Sequence, residues 1–347
     1  MKHLLKTIFL NSSLLLSSFD ALGAVDYLSP PVDYPCTEEC DSMRGSPFNV
    51  TVDALYWVSC QEGLNHLMSV GATVGDDLVF NCKPFHFKWR PGFRLGIGYD
   101  LEPTSFCSDW GAAVIWTHFQ NTADVHATQP VDPTFNVTDA PAPQSAHWDF
   151  LYNVFDGVLI GPKFCLGSRF SWNPLIGVRS ALIKEGISAN PFNTDVAQSY
   201  KAHSRFFGVG PEVGFHSTYC LGHGFSLYGD AAAAILYGHF KVNVTNIDID
   251  SAASLNDLYT MHVGQCVADF SIGLKWEHHL CIGAYEKEIE LKLGWDHAQW
   301  FNFDQIGEYH ARPSFQGGGA GLTTDFIAKA HGDLALDGLT LSAQFKF

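Results

Sequence analysis

Sixteen histidines, nine cysteines and an uneven set of charges are the groups in this chain with the capacity for chemistry. Glu277-His278-His279 places a carboxylate beside two imidazoles, a combination that could bind a metal or act in hydrolysis. In a strand, however, adjacent side chains point to opposite faces, so the two imidazoles do not converge on one ion. Histidines at a rim and in loops are the expected reading. No G-x-x-x-x-G-K-[ST], H-E-x-x-H or G-x-S-x-G motif occurs. Gly224-Phe225-Ser226-Leu227-Tyr228-Gly229 approximates the last with one residue too many, and Gly208, Gly210 and Gly214 follow a period of two, a wall feature and not a dinucleotide loop. No catalytic residue, cofactor or metal ligand is assigned, and the chain is not expected to be an enzyme.

The cysteines offer redox chemistry. Cys36, Cys40, Cys107, Cys165, Cys220 and Cys281 are disulfide candidates, while Cys60, Cys82 and Cys266 fall elsewhere. Cys36 and Cys40 are spaced like a metal knuckle, but no second pair completes a zinc tetrahedron. An odd count leaves at least one thiol free or bonded to another chain. Two readings stay open: crosslinking to a second copy or to cysteine-rich envelope proteins, and pairing within the chain.

Charge supplies the third possibility. Lys88, Arg90 and Arg94 share one parity of an alternating segment, and Glu212, Asp269, Lys275, Glu277, Glu288, Glu290, Lys292 and Asp296 occupy the polar parity of later ones. If the other parity faces lipid, these charges must face inward, because a Lys or Arg toward lipid at the midplane costs about 2–4 kcal/mol. They are the candidate lining of a pore, with a basic wall facing an acidic one. Ion pairing that plugs a small barrel is the competing reading, since side chains already fill an eight-stranded interior.

Those residues need elements to position them, and composition limits the choice. Of 347 residues only 16% are charged, against 46% hydrophobic and 14% aromatic; soluble chains carry about 25% charged residues. Beyond the N-terminus no apolar run of about 18 residues suggests a transmembrane helix. A formal net charge of −16 without a basic stripe argues against a nucleic-acid partner. From Phe85 to Leu101 the apolar residues Phe85, Phe87, Trp89, Phe93, Leu95, Ile97 and Tyr99 alternate with His86, Lys88, Arg90, Gly92, Arg94, Gly96 and Gly98, the period of a strand and not of a helix. Residues 48–58, 269–277 and 288–296 repeat the pattern. Lipid outside, water or a plug inside and aromatics at both interfaces fit it.

The expected organisation is a signal peptide over 1–23, a Cys- and Pro-containing periplasmic tail over 24–47 and an all-β, transmembrane antiparallel β-barrel over 48–347. Lys2 and Lys6, the apolar Thr7–Leu16 and Ala21-Leu22-Gly23 carry the signal-peptide reading. Turn-like stretches at Cys107, Cys165, Cys220 and Cys281 lie 58, 55 and 61 residues apart, room for two strands and one long polar segment each. With outer loops at 60–84, 121–146, 185–202, 243–260 and 301–330, this gives ten strands, or twelve if Gly318–Ala328 forms another with a partner.

The last segment, Asp337-Gly338-Leu339-Thr340-Leu341-Ser342-Ala343-Gln344-Phe345-Lys346-Phe347, is similar to the terminal signal that bacterial outer-membrane barrels present to the barrel assembly machinery, with Phe345 and Phe347 on its apolar parity. Together with the opening Phe48-Asn49-Val50-Thr51-Val52-Asp53-Ala54-Leu55-Tyr56-Trp57, it resembles the Legionella-type major outer membrane protein family, which has counterparts in Chlamydia-related bacteria. The resemblance implies a pore-forming, often cysteine-crosslinked protein of the outer membrane of a Gram-negative cell. The expected function is passive diffusion of small hydrophilic solutes or ions, in contact with outer-membrane lipid. The alternative is a disulfide-linked structural or adhesive surface protein with a plugged lumen.

Overall fold

The computed structural model describes residues 44–346 except 46, 63, 65–68, 75–76, 83–84, 102–109, 127–142, 192–197, 249–252, 283–284, 306, 317–318 and 330–331. The signal-peptide segment, the tail up to residue 43, Cys36, Cys40, Cys107 and Phe347 lie outside the described residues. Ten strands make the barrel: β1 Phe48–Gln61, β2 Arg90–Asp100, β3 Gly111–His126, β4 Pro143–Ile160, β5 Phe170–Pro191, β6 Gln198–Gly222, β7 Phe225–Asp248, β8 Ala253–Ile282, β9 Tyr285–Trp300 and β10 Leu334–Lys346. Each pairs antiparallel with its sequence neighbours, and β10 pairs both β9 and β1, which closes the ring and leaves no edge. The segment expected as part of a twelfth strand, Gly319–Lys329, pairs only with Gly307–Gln316, outside the ring. Ten is therefore the strand number.

The strands are longer than a membrane needs. β6, β7 and β8 have 25, 24 and 30 residues, whereas about 9–11 tilted residues cross the hydrocarbon. The outward side chains show where the lipid lies. On β6, Tyr219, Phe215, Val213, Val209 and Phe207 are exposed apolar residues, followed by exposed Arg205, His203 and Lys201. On β7, Phe225, Leu227, Ile235 and Tyr237 give way to His239 and Lys241. β9 changes between Trp295 and His297, and β10 between Leu339 and Asp337, at paired positions of the ladder. An apolar belt thus encircles the end of the barrel that carries the tight turns and both barrel termini. Beyond it the same strands continue with polar outer faces.

The inner faces change in the opposite sense. Within the belt they carry Asp156, Arg179, Glu212, Asp269, Lys275 and Asp296; beyond it they carry Phe119, Trp148, Phe150, Ile183, Ile187, Phe206, Phe240, Val242, Val244 and Trp300, all at most 2% exposed. Water outside and an apolar core inside is the logic of a soluble barrel, so strands such as β6, β7 and β9 reverse their polarity as they leave the lipid. This reversal explains the shortened outer loops. Residues 121–126, 185–191, 198–202, 243–248 and 253–260, expected as loop, belong to strands whose apolar side chains have moved to the other parity.

At the turn end, Gly222, His223 and Gly224 all adopt positive φ (102°, 56° and 78°) and join β6 to β7. Two glycines here remove the Cβ clash that makes consecutive left-handed residues unfavourable.

Candidate functional site in the barrel lumen

Arg94 projects from β2 between two walls. Its Nη1 donates to Asp53 Oδ2 at 3.1 Å, Nη2 to Asp296 Oδ2 at 3.1 Å and Nε to Thr117 Oγ1 at 3.2 Å. Asp296 also accepts from Thr340 and Ser271 at 2.8 Å each. The guanidinium lies 5.5 Å from the centre of the Trp57 ring, whose Nε1 donates to Thr340 at 3.2 Å. One cation therefore ties β2 to β1 and, across the lumen, to β9.

Arg179 holds a second cluster. Its Nε donates to Asp156 Oδ1 at 2.7 Å, Nη2 to Glu212 Oε1 at 2.7 Å, and Nη1 to Asp269. Three carboxylates from β4, β6 and β8 thus share one planar cation with donors in a fixed fork, a task that suits arginine better than lysine. A third cluster sits nearer the turn end: Lys275 Nζ lies 2.6 Å from Glu277 and 3.6 Å from Glu290, and Lys292 Nζ 2.6 Å from Glu290. Carboxylate oxygens of Glu277, Glu288 and Glu290 lie within 4.8 Å of one another, a spacing that could hold a metal ion. Two ammonium groups already supply positive charge there.

A cavity of about 290 Å³ is lined in part by Asn49, Thr51, Tyr228, Asp230, Ser342 and Gln344, together with Asp53, Arg94 and Asp296 of the first cluster and Lys292 of the third. Away from the turn end the polar lumen stops at the apolar core. That core is one connected cluster with members from every strand except β2. Tyr152 on β4 touches Trp300 on β9 with ring centroids 5.9 Å apart, and Phe206 on β6 lies 6.2 Å from the same ring. Strands β4 and β9 stand five places apart in a ring of ten, so their contact spans the lumen.

The structure brings together Arg94, Glu212, Asp269, Lys275, Glu277, Glu288, Glu290, Lys292 and Asp296 on the inner wall. Two expected lining residues are elsewhere. Lys88 is exposed, 3.7 Å from Asp124 on the outer face of β3, and Arg90 is exposed and donates to Thr122 at 3.2 Å. For Lys88 the physical reason is one extra residue: Phe87 pairs with Ala123 but Gly92 with Phe119, so five steps on one side oppose four on the other; Arg90 keeps its register opposite Trp57, and its side chain is exposed and reaches Thr122. A bulge of this kind shifts the face of every residue before it. Accordingly Phe87 packs inward on Trp148, while Trp89 stacks on the outer Tyr56 at 5.5 Å. The expected basic wall facing an acidic wall is also replaced, since cations and anions interleave in the three clusters.

Sequence reasoning missed Arg179, Asp53, Asp156 and Asp230. Around Arg179 both parities are apolar, with Leu175, Ala181 and Ile183 inward and Ile176, Val178 and Leu182 outward, so alternation gives no signal. A lone charge in such a run was itself the available clue, because it requires partners inside.

Of the disulfide candidates, Cys165 is an exposed free thiol and Cys220 is disulfide-bonded. Cys281 lies near the end of β8. His278 stacks on Trp276 with ring centroids 5.5 Å apart; alternation along β8 puts His279 on the opposite face.

The family described as Legionella pneumophila major outer membrane protein precursor matches residues 42–347. Among solved structures, the chain is similar to the outer membrane protease OmpT from Escherichia coli, with 11% identity, 88% of this chain and 99% of that chain covered, and a TM-score of 0.43. It is similar to a major outer membrane protein from Thermus thermophilus with 13% identity, 86% and 99% covered, and a TM-score of 0.31. The toluene transporter TodX of Pseudomonas putida shows 10% identity, 91% and 93% covered, and a TM-score of 0.32. No curated protein matches the chain.

Proposed function

We propose that this chain, which belongs to the Legionella major outer membrane protein family and resides in the bacterial outer membrane, is a barrel with a closed lumen that raises a water-facing β-cap and its connections above the lipid. The observation that carries this reading is the Tyr152–Trp300 contact between opposite walls. Opening a passage there would expose Trp148, Trp300, Phe119, Phe206, Phe240 and Phe303. At about 1.5–3 kcal/mol per large apolar side chain the cost is on the order of 10 kcal/mol, comparable to the stability of a whole domain. Thermal opening of the core as a gate is therefore not part of the reading. Liposome swelling in an iso-osmotic sugar tests it: vesicles with protein should swell no faster than empty ones.

Passive diffusion of small hydrophilic solutes or ions is the second reading. The cavity of about 290 Å³ beside the charged inner wall favours it. In that case the charged clusters set selectivity, and the apolar core must yield a path at its edge. Neither reading includes covalent chemistry. Assembly by the barrel machinery and disulfide links to neighbours remain part of the proposal for how the protein is installed and held.

A further inference from the structure

Three basic side chains stand in one row on the outer surface. Lys184 on β5 pairs in register with Arg205 on β6, and Arg205 with Lys241 on β7. All three are exposed, and among the described residues no carboxylate lies at ion-pair distance from any of them. His203 follows on the next row outward and Lys201 on the one after, both exposed. Like charges directly opposite one another across strands are unfavourable, and this chain has only 20 Lys and Arg against 36 Asp and Glu. The rest of this level is different: His147 lies 2.6 Å from Asp124, His297 2.6 Å from Asp337 and Lys88 3.7 Å from Asp124. Asp149, opposite Gly186 one row from Lys184, is the nearest acid in register and makes no ion pair with it.

The row's depth identifies its partner. The preceding row toward the turn end is Leu182, Phe207 and His239, with His262 beside it. Two residues of strand rise about 7 Å, less after tilt, and the headgroup layer is about 5–7 Å thick on each side of the hydrocarbon. The cationic row therefore begins where acyl chains end and headgroups start. We infer that β5, β6 and β7 form a docking surface for a phosphorylated glycolipid headgroup of the outer leaflet. Lys184, Arg205 and Lys241 bind its phosphates, while Phe207 and Leu182 contact the first methylenes of its chains. Arginine and lysine suit this task as fork and point-charge phosphate donors. The inference rests on the outer-membrane location and on the loop end facing outward, and it is independent of whether the lumen conducts.

The test is native mass spectrometry of the detergent-solubilised, heat-modifiable full chain titrated with bis-phosphorylated lipid A, its dephosphorylated form and phosphatidylglycerol. Wild type should retain bis-phosphorylated lipid A in preference to both other lipids. K184Q/R205Q/K241Q should weaken that binding by about tenfold or more, the loss expected for at least one charge-assisted contact. K88Q, which removes a paired cation elsewhere at this level, should leave it unchanged, and K184R/K241R should retain it and show that charge at these positions suffices. Binding by the triple glutamine variant within about twofold of wild type, equal binding of the dephosphorylated lipid, or tighter binding of phosphatidylglycerol would each overturn the inference.

Discussion

Tyr152 and Trp300 meet edge to face across the lumen, with ring centroids 5.9 Å apart, although β4 and β9 lie on opposite walls of the ring. The barrel interior therefore has two zones, a charged one at lipid level and a dry one beyond it. Trp300→Ala should destabilise the protein by about 3–5 kcal/mol, the usual loss for a fully buried aromatic. Trp295→Ala, five residues back on the same strand, on its outer face and 42% exposed, should cost less than half as much. Urea unfolding in micelles compares the two.

Arg179 holds Asp156, Glu212 and Asp269 together. Arg179→Met leaves three carboxylates without their cation in a desolvated lumen, and a loss of about 3–5 kcal/mol is expected, as for other broken buried pairs. Arg179→Lys should recover part of it, because one ammonium cannot reproduce the forked geometry. The shift in the temperature at which the folded gel band disappears gives the order: wild type, then Lys, then Met.

Turn glycines should divide by surroundings. Gly167 has φ +70° with nothing within 4 Å of an added Cβ, whereas Gly224 has φ +78° and an added Cβ would sit 2.4 Å from the Glu277 carbonyl oxygen. Gly167→Ala should cost about 1 kcal/mol for the left-handed backbone alone. Gly224→Ala should cost distinctly more, and the same unfolding assay separates them.

Two exposed thiols report orientation. Cys60 lies on the outer face of β1 beyond the apolar belt and Cys165 beside the turns, both free. With single-cysteine variants in intact cells, a membrane-impermeant maleimide should label Cys60 and should reach Cys165 only after the outer membrane is permeabilised. The reverse pattern would invert the assignment of the long connections to the exterior.

Much of this architecture was legible in the sequence. The alternation of Phe270, Ile272, Leu274 and Trp276 with Asp269, Ser271, Gly273 and Lys275, and the closing strand ending in Phe345, carry the barrel, its closure and most inward charges. What was not legible has local causes. One extra residue between Phe87 and Arg90 turned Lys88 outward, and nothing in a strictly alternating string marks a bulge. Beyond the belt the apolar parity switches, as at Phe206 and Phe207, so strands of 24–30 residues read as short strands with long loops. The contact between Tyr152 and Trp300 depends on ring closure and on strand order, which composition does not encode.

Single-channel recording in a planar bilayer tests the closed lumen most directly, using refolded, heat-modifiable protein under a salt gradient. The account predicts a silent bilayer, with no discrete ohmic steps from wild type. Stable steps with a defined reversal potential would contradict it and would show that the aromatic core between β4 and β9 does not seal the barrel.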